Sequence, residues 1–155
     1  MAGRKETRSW KHKGDLNMTT KQRYAMELHN KGYNCSQAVA CTFCKDFGVD
    51  EEEMFRIAEG FGFGMGMMEM CGALSGMTMI MGLAGSVGNP EKGPITKGKT
   101  YKTVKAHVLK FKEKNGSYLC RELKGAGSGK PLCTCEQCIT DAVALTAEFL
   151  EGWRK

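Results

Sequence analysis

No apolar run in this sequence is long enough to cross a membrane. The longest quiet run, Met70 to Gly85, has 16 residues and is rich in Gly, Ser and Thr. A spanning helix needs about 20 predominantly apolar residues, so the stretch reads as a buried core helix. Strict alternation of apolar and polar residues is also nearly absent, which argues against a sheet. The opening segment, MAGRKETRSWKHKGDLN, has no apolar run behind its basic residues, and a secretory signal is not expected. The protein is therefore expected to be cytoplasmic and not a membrane protein. Histidine is scarce, at three residues. His12 lies in the polar terminus, and His29 and His107 fall on predicted helices where neither suggests a ligand. No Ser–His–Asp pattern or zincin motif appears. GFGFGMG (60–66) is glycine-rich, but no strand precedes it and GxxxxGK[ST] is missing, so a nucleotide loop is excluded.

What is present begins with charge. The 155 residues carry a formal net charge of +6. Eight lysines and one acid, Glu113, lie between Lys92 and Lys114. Such a run attracts anions, but no aromatic platform or nucleic-acid motif accompanies it. It reads as a solvated helix face plus a loop, and no nucleic-acid partner is expected.

The periodicity is helical. Thr19 or Thr20 caps a helix carrying Tyr24, Met26 and Leu28 to Asn30. Asn34 caps the next, with Ala38, Val39, Thr42, Phe43 and Phe47 at helical spacing and a stop at Gly48. Asp50 caps Glu51 to Glu59, whose first-turn acids favour the positive end of the helix dipole. Glycines 60, 62, 64 and 66 then break regular structure. From Gly72 the pattern resumes, with Ala73, Met77, Ile80 and Ala84 on one face. Residues 86–97 form a loop. Tyr101, Val104, Val108 and Phe111 predict an amphipathic helix from about Gly98 to Lys114. Ser117 caps a short turn through Leu123. A last helix from about Glu136 to Trp153 buries Ile139, Ala142, Val143, Thr146, Phe149 and Leu150. The expected fold is all-α: one helical, cysteine-rich domain over residues 18–155, a bundle of about five to six helices with a Gly/Met-rich centre. It follows a loose terminus over residues 1–17.

That centre, residues 60–85, holds eight glycines and seven methionines around Cys71. Thioethers suit soft metals such as Cu(I), yet methionine also fills irregular core gaps, and Met77 and Met81 sit at core spacing. Gly72 and Gly76, four apart, would let another backbone approach closely.

Eight cysteines carry the functional signal. In a reducing compartment they point to metal binding or redox chemistry rather than to a static disulfide framework. Cys71 directly precedes a helix start, where free N–H groups and the dipole favour thiolate. Cys35, Cys120 and Cys138 lie in comparable first turns, and Arg121 follows Cys120. If these helix starts face one another, the four cysteines converge.

At these residues the sequence resembles the family of redox-active proteins named for its cysteine pattern, C_GCAxxG_C_C. Its CGAxxG motif reads Cys71-Gly72-Ala73-Leu74-Ser75-Gly76. The first family cysteine matches Cys35 in NCSQAV, the third Cys120 in CREL, and the fourth Cys138 in CITDAV. The resemblance spans about residues 20–152. It implies a helical redox-active protein and, because the family's genes often lie near transporter genes, a redox or transporter-associated partner. A similar cysteine-containing region in split-Soret cytochromes, where an iron centre has been described, implies an iron–sulfur cluster or other thiolate-bound metal as an alternative. This chain departs from the four-cysteine pattern by adding Cys41 and Cys44, a CxxC, and Cys133 and Cys135, which with Cys138 make CxCxxC. Cys133 or Cys135 could replace Cys138 as the fourth member.

Three functions follow. In the first, Cys35, Cys71, Cys120 and Cys138 are catalytic thiols of dithiol–disulfide exchange or electron transfer, with Cys71 or Cys35 attacking. In the second they are four metal or cluster ligands. In the third the chain is a non-catalytic partner module of a transporter or redox enzyme, docking through its lysine-rich helix.

Overall fold

The computed structural model describes residues 18–154. The terminus expected to be loose, residues 1–17 with His12, lies outside them. Helix α1 (Thr20–Asn30) begins at a reciprocal cap in which the Thr19 hydroxyl accepts from Gln22 N–H and the Gln22 side chain accepts from Thr19 N–H. Asn34 and Gln37 repeat that device at the start of α2 (Cys35–Phe43). A tighter turn, Cys44–Phe47, extends α2 until Gly48, at φ 74°, ends it. Asp50 caps α3 (Glu51–Ala58) through the N–H groups of Glu52 and Glu53.

The glycine stretch does break the helix, in an unusual way. Residues 64–68 form a wide turn, closed by Glu69 N–H donating to Gly64 O at 3.1 Å. Its backbone is left-handed at Phe63, Met65 and Met68 as well as at Gly64 and Gly66. Then come α4 (Gly72–Gly85), α5 (Lys97–Asn115), the single turn α6 (Cys120–Leu123) and α7 (Cys135–Arg154). Among the described residues there is no strand, only one isolated antiparallel bridge, Met70 to Leu119. The fold is all-α.

The core forms where α4 crosses α2, with α7 against α4, α1 across α2 and α7, and α5 along α4. The expected faces are buried at Met26, Leu28, Val39, Phe43, Met77, Ile80, Ile139 and Val143. Tyr101 differs. It stands at the right helical phase on α5 but is 66% exposed; at this end of α5, Thr100 and Thr103 line a small pocket with Met81, Gly85 and Phe149 instead. Lysines of α5 partly face acids of α7: Lys110 meets Glu148 at 2.5 Å and Lys114 meets Asp141 at 2.6 Å. No helix among the described residues is long and apolar enough to cross a membrane.

The crossing of α2 and α4 is set by two glycines. A Cβ on Gly76 would stand 2.6 Å from Ser36 O and 3.0 Å from Val39 Cβ. A Cβ on Gly72 would meet Phe61 O at 3.0 Å and Ser36 N at 3.4 Å. Gly82, on the same helix, would meet nothing within 4 Å. Gly76→Ala is therefore expected to destabilise by about 1–3 kcal/mol through overpacking. Gly82→Ala is expected to stabilise by about 0.5–1 kcal/mol through helix propensity. Urea titrations of the two variants check the contrast, and equal effects would remove the role assigned to Gly76.

Candidate functional site

The crossing brings helix starts together. Asn34 places Cys35 at the first position of α2, and Cys71 is itself the residue that caps α4. The segment before α4 is tied to the segment before α6 by Cys71 N–H donating to Tyr118 O at 2.9 Å and Cys120 N–H donating to Glu69 O at 2.6 Å. Ser117, expected as a cap, accepts from Leu119 N–H at 3.0 Å and bonds the Glu122 carboxylate, fixing the approach to α6. Thr134 Oγ1 accepts from Gln137 N–H at 3.0 Å and starts α7 one residue before the expected Glu136, at Cys135.

These four starts surround one half-open cavity of about 190 Å³. Cys35, Cys71, Cys120 and Cys138 all line it, and so do Cys133 and Cys135. Phe63, His29 and Lys124 complete the part of the wall that matters for chemistry. Cys71, Cys120 and Cys138 are buried, at 5%, 6% and 4% exposure, while Cys35, Cys133 and Cys135 are half-buried. All eight cysteines are free thiols.

The sulfurs form two groups. In the outer pair the Cys35 thiol donates to Cys135, whose sulfur also accepts from Lys124 Nζ at 3.2 Å. The bond from Cys35 and then the Lys124 ammonium hold Cys135 down to about 5, against the opposing effect of burial. The same bond pushes Cys35 up, so it keeps its proton. In the inner group Cys138 lies between Cys133 and Cys71, and hydrogen bonds to both, with burial, raise it strongly. Cys71 is lowered, first by Cys138 and then by the N–H groups of Ala73 and Leu74 at the start of α4. Cys133 is lowered, again first by Cys138. Its thiol donates to Asn115 Oδ1 at 3.4 Å, and Asn115 Nδ2 donates to the buried Asp141 at 3.1 Å.

Helix starts alone do not decide the protonation state. Cys35 and Cys138, in first turns expected to favour thiolate, are the proton holders. Cys120 is raised by burial, and its expected cation, Arg121, is bonded instead to Glu69. Cys133 and Cys135, the expected substitutes for Cys138, line the cavity together with it. Lys124 had one legible signal, its place four residues after Cys120, at the C-terminal cap of the same short helix. Cys41 and Cys44 stay apart from the cavity. They are buried under α3, Cys41 is pushed up to about 12 by burial, and Cys44 is raised by burial too.

Among the described residues, no group of three or more His, Cys, Asp or Glu side chains is arranged to hold a metal ion. The sulfurs are engaged with one another. The methionines follow the packing expectation: Met77 and Met81 are core, Met65 and Met67 are exposed, and no methionine lines the cavity.

A family model described as "Putative redox-active protein (C_GCAxxG_C_C)" matches residues 33–149, well over half of the chain. No curated protein and no solved structure matches it significantly. The matched span takes in α2 through most of α7 and every cysteine around the cavity, and on that footing the chain belongs to the C_GCAxxG_C_C family.

Proposed function

We propose that this protein is a dithiol–disulfide redox protein, with Cys135 and Cys35 as the exchanging pair. The observation that supports this is the thiolate–thiol pair at the half-buried edge of a cavity walled by six cysteines. Cys135 thiolate attacks one sulfur of a partner's disulfide. A Cys135–partner bond forms, the partner's S–S bond breaks, and the electron pair leaves on the partner's other sulfur. Cys35 then gives up its proton and attacks Cys135 Sγ. The Cys35–Cys135 disulfide forms and the second partner thiolate departs, so the partner gains two electrons and this chain loses them. A dithiol donor restores the resting state. The substrate class is thus a disulfide on a redox or transporter-associated protein. Lys124 stabilises the attacking thiolate, and Cys120, its thiol held up by burial, is a wall residue.

The attacking role falls to Cys135 rather than to Cys71 or Cys35. Cys71 is as buried as a core residue, and Cys35 holds the proton of the pair. The same six thiols around about 190 Å³ are what would favour an iron–sulfur cluster, and one experiment separates the two. Protein purified without oxygen is expected to be colourless, to lose thiols in pairs under mild oxidation, and to regain them with reductant. Mass mapping should place the first disulfide at Cys35–Cys135. Stoichiometric iron with visible absorption would overturn the proposal.

The thiolate assignment has its own test. Alkylation of Cys135 is expected to be insensitive to pH above neutrality and to fall as pH drops through about 5, because the thiolate is the reactive form. Lys124→Met should move that midpoint upward. Cys35→Ala, which removes the larger cause, should move it further toward the ordinary thiol value of about 8.5. Alkylation followed peptide by peptide reads both shifts, and a midpoint left in place by both changes would rule out this account of the thiolate.

A further inference from the structure

The inner cysteines have no part in the exchange described above, yet they share its cavity. Three observations connect them to the outer pair. Gly72 sets the start of α4 against the start of α2, with Ser36 N 3.4 Å from where its Cβ would be, so Cys71 and Cys35 flank a common contact. Cys71, Cys138, Cys35 and Cys135 all line the same cavity of about 190 Å³. Cys138 bonds both Cys133 and Cys71, and of these three cavity cysteines Cys71 and Cys138 are the buried two, at 5% and 4% exposure, where a partner protein's disulfide has no access.

We infer that Cys71 and Cys138 are a second redox pair, filled through the first, so that the chain stores two disulfides and exchanges four electrons. This rests on the dithiol reading of the outer pair. Once Cys35–Cys135 is a disulfide, Cys71 thiolate attacks Cys35 Sγ. The Cys71–Cys35 bond forms, the Cys35–Cys135 bond breaks, and the electron pair leaves on Cys135, where Lys124 receives the charge. Cys138 then loses its proton and attacks Cys71 Sγ. The Cys71–Cys138 bond forms and the Cys71–Cys35 bond breaks. The electron pair leaves on Cys35, which takes up the proton. The outer dithiol is restored and the inner dithiol oxidised, with no net change in charge or protons and no outside reactant. A second disulfide substrate can then be met at the edge of the cavity.

The order of events is measurable on the unmodified chain. Reduced protein is mixed with one equivalent of dithiodipyridine, quenched at intervals by acid and alkylation, and its disulfides mapped by mass. Cys35–Cys135 is expected first, then to decay as Cys71–Cys138 grows while the total stays at one disulfide. A second equivalent is then consumed, whereas Cys138→Ser takes up only one. Cys35→Ser should close the inner pair at least tenfold more slowly than the unmodified chain. A Cys35–Cys135 disulfide that persists, an inner pair that closes at the unmodified rate in Cys35→Ser, or a Cys133–Cys138 disulfide in place of Cys71–Cys138 would each overturn the relay. If Cys35–Cys135 never forms, the outer-pair reading fails, and the relay fails with it.

Discussion

Everything in the site depends on how closely α2 and α4 approach. Each glycine inside a helix costs about 0.5–1 kcal/mol relative to alanine, and α4 carries two at the crossing. What they release is distance: the backbone of Ser36 lies where their side chains would be. Ser36 is fully buried, and its hydroxyl has no partner among the described residues, a further cost of about 1–3 kcal/mol. The crossing offsets these terms with the buried surface of Val39, Leu74 and Met77, each worth about 1.5–3 kcal/mol when fully removed from water. Without this approach the starts of α2 and α4 would be separate surface features, and their cysteines unrelated thiols.

Proximity alone would make six thiols inert, since burial in apolar surroundings favours the neutral form. The cavity resolves this by sharing protons. Cys35 lends one hydrogen to Cys135, and Cys138, bonded to Cys133 and Cys71, lowers both of them. A second contribution comes from the polar ends of α4 and from Lys124. The result is charge held on sulfur at the edge of the cavity, with the exposed Lys124 ammonium 3.2 Å from Cys135.

The helices were legible because their signals are local. Thr19, Asn34 and Asp50 cap as expected, Gly48 stops α2, and the apolar faces of α4 and α7 are buried at the positions their spacing indicates. The presence of cysteines at helix starts was legible for the same reason. Which sulfur carries the charge was not, because it depends on partners 100 residues apart, Cys35 and Cys135. The CxxC of Cys41 and Cys44 shows the opposite case, a conspicuous local spacing that tertiary packing places under α3, away from the cavity. Tyr101 marks another limit of local pattern: it holds the right helical phase, yet Thr100 and Thr103 are the residues that line the pocket with α4 and α7.

The turn at residues 64–68 has a consequence for the chain's energetics. Phe63, Met65 and Met68 hold left-handed backbone without being glycine, at roughly 1–3 kcal/mol each, and the turn closes through one hydrogen bond between Glu69 and Gly64. Phe63 borders the cavity, with Lys124 over its ring. This wall therefore belongs to the low end of the chain's range of local stabilities. Its amides will exchange with solvent well before those of α4 and α7, and entry to the buried sulfurs will follow a local melting equilibrium that leaves the bundle folded.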